Sequence, residues 1–430
     1  MENNERNQKW WGLGFIWAGA LVSIPSLLLG GSLVTGMGLS QTLWTALLGY
    51  ALIVLIMIFQ GMQSSDQGKP TVKVAEQVFG KVGSSKVISI LLAIACLGWF
   101  GIQANVAGQA FSSLLGGFGI SFPIWLSSLV WGIIMIFTAI YGVKLIRILA
   151  YIAVPYLVIV VLYGLYFAMD HGGLAAINHY HPATTMSFTN GLASTVGGFA
   201  LGAVIAGDYS QFSVKRSDVV KAAIFGVIPA GVLMIGVGAV LTIVFKSSDI
   251  NGVFAKVGSP LVGSLALVLA TWKVNVINAY SGGIAIINVF NIPPKYRKVT
   301  IWAIGLVGTM LAIGGILNYF TPIMNVLSAT IPPVAGVMCA SYWLINHGDK
   351  HLWHATEGVN WLGFFAWLVG AVVGCLPVIL AFFPKGPQMP NNPLVGIVLS
   401  FVIYWVGEKV TVRQNDNAVE KIKGVFLKCD

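Results

Sequence analysis

One lysine lies deep inside a run of apolar residues. Between Gly258 and Phe290 the chain reads GSPLVGSLALVLATWKVNVINAYSGGIAIINVF, and Lys273 is its only charged residue, about fifteen positions from one end and about seventeen from the other. At roughly 1.5 Å per helical residue this is on the order of 20 Å from either end, beyond the reach of a snorkelling four-carbon stem. An ionisable group held in hydrocarbon costs several kcal/mol unless it has a partner or water, which marks it as a functional site by default. Two amides, Asn275 and Asn278, follow within two turns. In CLGWFGIQANVAGQ, Trp99 and Gln103 are four apart and share a helix face, with Cys96 one turn earlier. An aromatic plane beside an amide suits a flat heterocycle: stacking for the ring, a donor and an acceptor for its edge. Phe199, amid a cluster of glycines, could supply the opposite face. Each asparagine could instead only join neighbouring helices by a hydrogen bond.

The elements that must position these groups are membrane helices. Hydrophobic residues make up 57% of the 430 positions and charged residues 9%, against about 25% charged in soluble domains. Twelve apolar stretches appear, near 11–36, 41–62, 86–115, 121–141, 147–169, 190–210, 220–245, 258–285, 299–317, 322–346, 360–383 and 393–411. Each suffices for the roughly 20 residues that cross a bilayer. No short hydrophobic segment with a small-residue cleavage site precedes the first, so no removable signal peptide is expected. Of the 24 Lys and Arg, 20 fall at the N-terminus, in the second loop and every second loop after it, and in the C-terminal tail; Lys246, Lys256 and Lys385 occupy opposite loops. The positive-inside rule puts both termini in the cytoplasm, and the net charge of +10 needs no nucleic-acid partner. Cys96, Cys339, Cys375 and Cys429 are too scattered for a disulfide framework or a zinc spacing. His171, His179 and His181, in the loop after the fifth stretch, lack a metal-ligand spacing, and neither a metal nor a cofactor is expected.

That loop divides the first ten helices into two sets of five. Five is odd, so the second set runs inverted relative to the first, and in such transporters the substrate lies where corresponding helices are broken. Helix 1 contains SIPSLLLGGSLVTGMG, with Pro25, Gly30 and Gly31; helix 6 contains TVGGFALGAVIAGDYS, with Gly197, Gly198, Gly202 and Gly207. Unpaired backbone is tolerable in a membrane only where it lines a site or water. The glycines could also serve close helix packing.

With GWFG at 98–101, GDYSQF at 207–212 and SATIPPVAGV at 328–337, the chain resembles the nucleobase:cation symporter-1 family over nearly its whole length. The resemblance implies an all-α polytopic membrane protein with a LeuT-like fold: two inverted five-helix repeats (1–170 and 190–346), helices 11 and 12 (360–411) and a cytoplasmic tail (412–430), 12 transmembrane helices in one domain. It further implies that Trp99 and Phe199 sandwich the base, that Gly198 lays backbone against it, and that Gln103 and Asn275 read its edge, Asn278 replacing Asn275 if the register slips by one turn. The family's sodium site maps to helix 1 backbone around Ser23 to Pro25, to the Ala270 carbonyl, and to two hydroxyl positions that here are Lys273 and Val274. Valine offers no oxygen and a lysine places its own charge where the metal would sit. The expectation is therefore that Lys273 replaces Na⁺ and that coupling is to protons rather than sodium; a lysine that stays charged would only brace helices 1 and 8, leaving uniport or a sodium symporter with a displaced cation site, and a static pair with Asp208 or another acid is the other alternative. Cytosine permeases have a glutamine and a serine where Cys96 and Leu201 stand, and an acid at Ser341, so hydroxymethylpyrimidine, another pyrimidine or a purine competes with cytosine as substrate.

The sequence therefore reads as a multi-pass inner-membrane permease for a planar nucleobase-like heterocycle, working by alternating access. A non-transporting sensor with the same pocket is the alternative, though the tail from Glu408 shows no domain. No Ser/His/Asp set, paired carboxylates or metal cluster lies within the spans, so enzyme activity is not expected.

Overall fold

A computed structural model describes residues 6–426, except 142, 171, 183, 248–252, 254–259, 382 and 384–388. His171, Lys256, Lys385, Lys428 and Cys429 lie outside the described residues. Among those described, every regular element is helical. The principal ones are α1 (Trp10–Leu21), α2 (Ile24–Gly36), α3 (Leu39–Gln67), α4 (Glu76–Gly117), α5 (Ile124–Tyr141), α6 (Val143–Asp170), α7 (Phe188–Val204), α8 (Ile228–Phe245), α9 (Pro260–Phe290), α10 (Arg297–Ile313), α11 (Phe320–Thr330), α12 (Pro332–Cys339), α13 (Trp361–Ala381) and α14 (Pro393–Phe426).

Nine helices among the described residues are long and apolar enough to cross a membrane, and the α1–α2 pair, bent by 59°, forms a tenth candidate. Ile124–Ile140 and Pro155–Asp170 are shorter apolar helices. Polarity runs inside out, as lipid demands: Thr45, Gln60, Gln63, Asn105 and Thr271 are buried, while Phe15, Leu233, Val372 and Val398 are exposed. At one end of the bundle polar contacts tie the connecting segments together. Asp66 accepts from the Arg216 guanidinium (2.6 Å) and from the Tyr342 hydroxyl (2.7 Å), the Lys69 ammonium lies 3.4 Å over the Trp353 ring, and Arg6 donates to the carbonyls of Ser65 and Ser213.

The first span breaks because of Pro25. Proline has no N–H for the carbonyl four residues earlier, and its ring crowds that carbonyl. The chain accordingly leaves the helix at Val22 (ψ 81°) and is extended at Ser23 (φ −154°, ψ 160°) before α2 begins. The Leu21 carbonyl that Pro25 cannot serve accepts instead from the Ser26 hydroxyl at 2.7 Å. Gly30 and Gly31, expected to join this break, lie within α2. Gly30 serves close packing: a Cβ there would stand 2.1 Å from the Ile235 carbonyl oxygen of α8, and one on Gly238 would stand 2.2 Å from the Leu27 carbonyl oxygen of α2.

The second interruption is in α7, where Phe199 has non-helical backbone (φ −133°, ψ 16°) directly after Gly198. Gly197, one residue earlier, lets α7 touch the α11 backbone, since a Cβ there would meet the Met324 carbonyl oxygen at 1.8 Å. Overpacking of this kind costs about 1–3 kcal/mol. Gly197→Ala should therefore melt earlier in detergent than wild type, whereas Gly12→Ala and Gly19→Ala, whose added methyls meet nothing within 4 Å, should not. Equal melting temperatures for the three variants would contradict the α7–α11 contact.

Candidate functional site

The two interruptions face one cavity of about 190 Å³, which α3, α4, α9 and α11 complete. Ser23, Pro25 and Ser26 line it from the break of the first span, and Gly198 and Phe199 from the kink of α7. Trp99 and Gln103 enter from α4, Val274 and Asn278 from α9. These α9 residues are four apart and so share a face, as do the two from α4. No charged side chain lines the cavity among the described residues. A neutral wall holds a neutral ligand without a buried unpaired charge.

The aromatic groups are held by their surroundings. The Trp99 ring meets Phe320 edge to face, with centroids 6.3 Å apart, a geometry that fixes the indole plane. The Phe199 ring folds back over Gly202, where a Cβ would stand 2.7 Å from its Cζ, so only glycine leaves that ring its place. Tyr50 also reaches the cavity wall beside Ser26, and its ring packs over Gly231.

The polar groups differ in how far they are committed. Gln103 is 1% exposed, and its Nε2 has no partner among the described residues. Leaving such an amide unpaired costs about 1–3 kcal/mol, and it leaves a donor available at the cavity wall. Asn275 is not at the cavity wall: it is fully buried behind it, donating from Nδ2 to the Phe100 carbonyl (3.0 Å) and to the Met135 sulfur (3.1 Å). Asn278 stands at the wall and donates from Nδ2 to Asn275 Oδ1 at 3.2 Å. Cys96 also lies off the cavity, packed 3.0 Å from where a Gly282 Cβ would be.

Of the expected cation-site residues, Ser23 and Val274 line the cavity, while Ala270 is buried in the α9 packing. Lys273 is half-buried beside Val274 and makes no hydrogen bond or ion pair among the described residues. The static pair with Asp208 does not form. Asp208 Oδ1 instead accepts the Thr71 backbone N–H at 2.8 Å, capping the short helix Thr71–Val74. Tyr50 and Ser26 escaped the sequence reading. A tyrosine in mid-span was the available signal for the first, because its hydroxyl needs a partner in hydrocarbon.

The family of permeases for cytosine/purines, uracil, thiamine and allantoin matches residues 1–407. The chain belongs to this permease family. Cytosine permease of Escherichia coli (strain K12) is 29% identical over 396 residues, covering 91% of this chain and 90% of the relative. Hydantoin permease of Microbacterium maritypicum is 23% identical over 416 residues, 88% of this chain and 83% of that one. Among solved structures, the inward-facing conformation of Mhp1 aligns with a TM-score of 0.78 at 19% identity, over 96% of this chain and 94% of its own. Mhp1 closed around bromovinylhydantoin aligns with a TM-score of 0.73. The permease thus shares the Mhp1 fold, which is LeuT-like as the resemblance implied, and its relatives are transporters rather than enzymes.

Gln103→Leu tests the state of the unpaired amide in the ligand-free permease. Replacing an unsatisfied buried amide by an apolar side chain of similar size should raise unfolding stability by about 1–3 kcal/mol. Thermal melting in detergent measures it, and a fall of that size would show that Gln103 is already satisfied.

Proposed function

We propose that this permease imports a planar, neutral nucleobase-like heterocycle by alternating access. The ring stacks between Trp99 and Phe199, Gln103 and Asn278 read its edge, and the backbone at Gly198 lies against it. The observation that carries this reading is the buried, unpartnered Gln103 amide in an uncharged cavity that two aromatic residues flank. Support for the ligand class comes from the relatives, whose names give cytosine, hydantoin and allantoin as cargo. Leu201 at the wall offers no hydrogen bond, which favours a pyrimidine or purine with fewer polar substituents than cytosine. The proposed topology is twelve spans, with repeats at 1–170 and 190–346, helices 11 and 12 in 360–411, and both termini on the cytoplasmic face of the inner membrane.

For coupling, the proposal is that Lys273 takes the place of a sodium ion and carries the coupled proton. Half-burial without a partner supports a lysine able to exist in both protonation states, since a neutral amine escapes the desolvation that penalises the ammonium. The test is uptake of radiolabelled cytosine, hydroxymethylpyrimidine, uracil and adenine into proteoliposomes under separate Na⁺ and pH gradients. Uptake should follow inward acid, ignore Na⁺ and vanish in Trp99→Ala, while Lys273→Ala should lose its response to the pH gradient. A strict Na⁺ requirement in wild type would sink the lysine assignment. The double variant Lys273→Ser/Val274→Thr restores both hydroxyls and should acquire Na⁺-stimulated uptake, read as initial rates with and without 100-fold-scale Na⁺ gradients.

A further inference from the structure

We infer that the Asn275–Asn278 pair fixes the polarity of the α9 wall, so that the permease selects heterocycles presenting a ring N–H, beside a carbonyl, to Asn278. The inference rests on the cavity being the substrate site. Its starting point is the Phe100 carbonyl, which can only accept, so the Asn275 atom 3.0 Å from it is Nδ2. The second proton of that Nδ2 points to the Met135 sulfur at 3.1 Å. Both donors of Asn275 are thereby used, and its Oδ1 is left facing Asn278. An acceptor facing Asn278 at 3.2 Å requires a donor in return, which assigns Nδ2 of Asn278 to that contact. Its Oδ1 accepts from no group among the described residues and belongs to the residue at the cavity wall.

Gln103 across the cavity carries no such instruction. Neither end of its amide has a partner among the described residues, so it can turn to offer a donor or an acceptor. The ligand's carbonyl can therefore be matched by Gln103 or by the second Nδ2 proton of Asn278, but the Asn278 Oδ1 requires an N–H. A ligand with a bare ring acceptor there would set two lone pairs against each other. Turning the Asn278 amide to avoid this would set its Oδ1 against that of Asn275. Asn275 is thus a positioning residue, acting on substrate through Asn278.

The matched probes are 2-pyridone and 2-pyranone, which differ only in a ring N–H replaced by oxygen. Competition against radiolabelled uracil on purified protein gives their affinity ratio. Wild type should favour 2-pyridone by about tenfold or more, the cost of one mispaired buried polar contact. In Asn275→Ala the Asn278 amide is free to rotate, and the ratio should fall to about threefold or less while uracil still binds; Asn275→Leu, which leaves less empty space, should behave alike. A residue that only packs α9 would weaken both probes equally and leave the ratio unchanged, which overturns the inference, as would failure of wild type to bind 2-pyridone. Trp99→Ala separates the two levels. If it retains uracil affinity, the cavity is not the site and both readings fall; if it loses uracil while Asn275→Ala keeps the ratio, only the polarity assignment falls.

Discussion

A backbone amide or carbonyl in hydrocarbon must find a partner inside the protein, and the placement of the two helix interruptions follows from that requirement. Pro25 frees the Leu21 carbonyl, and Ser26 satisfies it at 2.7 Å. Phe199 leaves the helical region directly after Gly198, where the backbone borders the cavity instead of lipid. Both interruptions are therefore gathered at one interior cavity. Helices that pack through glycine hold them there, α2 against α8 and α7 against α11.

The cavity and the lysine divide the electrostatic work. The wall carries no charge among the described residues, so a neutral ring is not asked to share space with an ion. Lys273 sits one residue from the wall residue Val274, about 100° further round the helix. Asp208 takes no part in either, its Oδ1 accepting the Thr71 backbone N–H.

The site was only partly legible in the chain. Trp99 and Gln103 fall on one face by helical periodicity alone, and so do Val274 and Asn278. Which asparagine of α9 meets the cavity could not be read from spacing. Asn275 and Asn278 are about 60° apart on the helix, and the choice depends on how α9 is rotated against α4. That rotation puts Asn275 against the Phe100 carbonyl and Asn278 at the wall. Tyr50 and Ser26 were missed because nothing local marks their meeting, 24 positions apart in the chain.

Composition and patterning by themselves determined a helical membrane protein, a lysine within its eighth apolar run, and a first span that Pro25 must break, because hydrophobic length and a missing N–H are properties of the residues. Only tertiary structure decided what the glycines do and which polar groups are committed. Gly30 proved a contact rather than a hinge, and Asn275 a support rather than a wall residue, because both depend on which backbone comes within a few ångströms from a distant helix. Hydrogen bonding is directional and saturable, so an amide's availability is set by its neighbours in space, which the order of residues does not state.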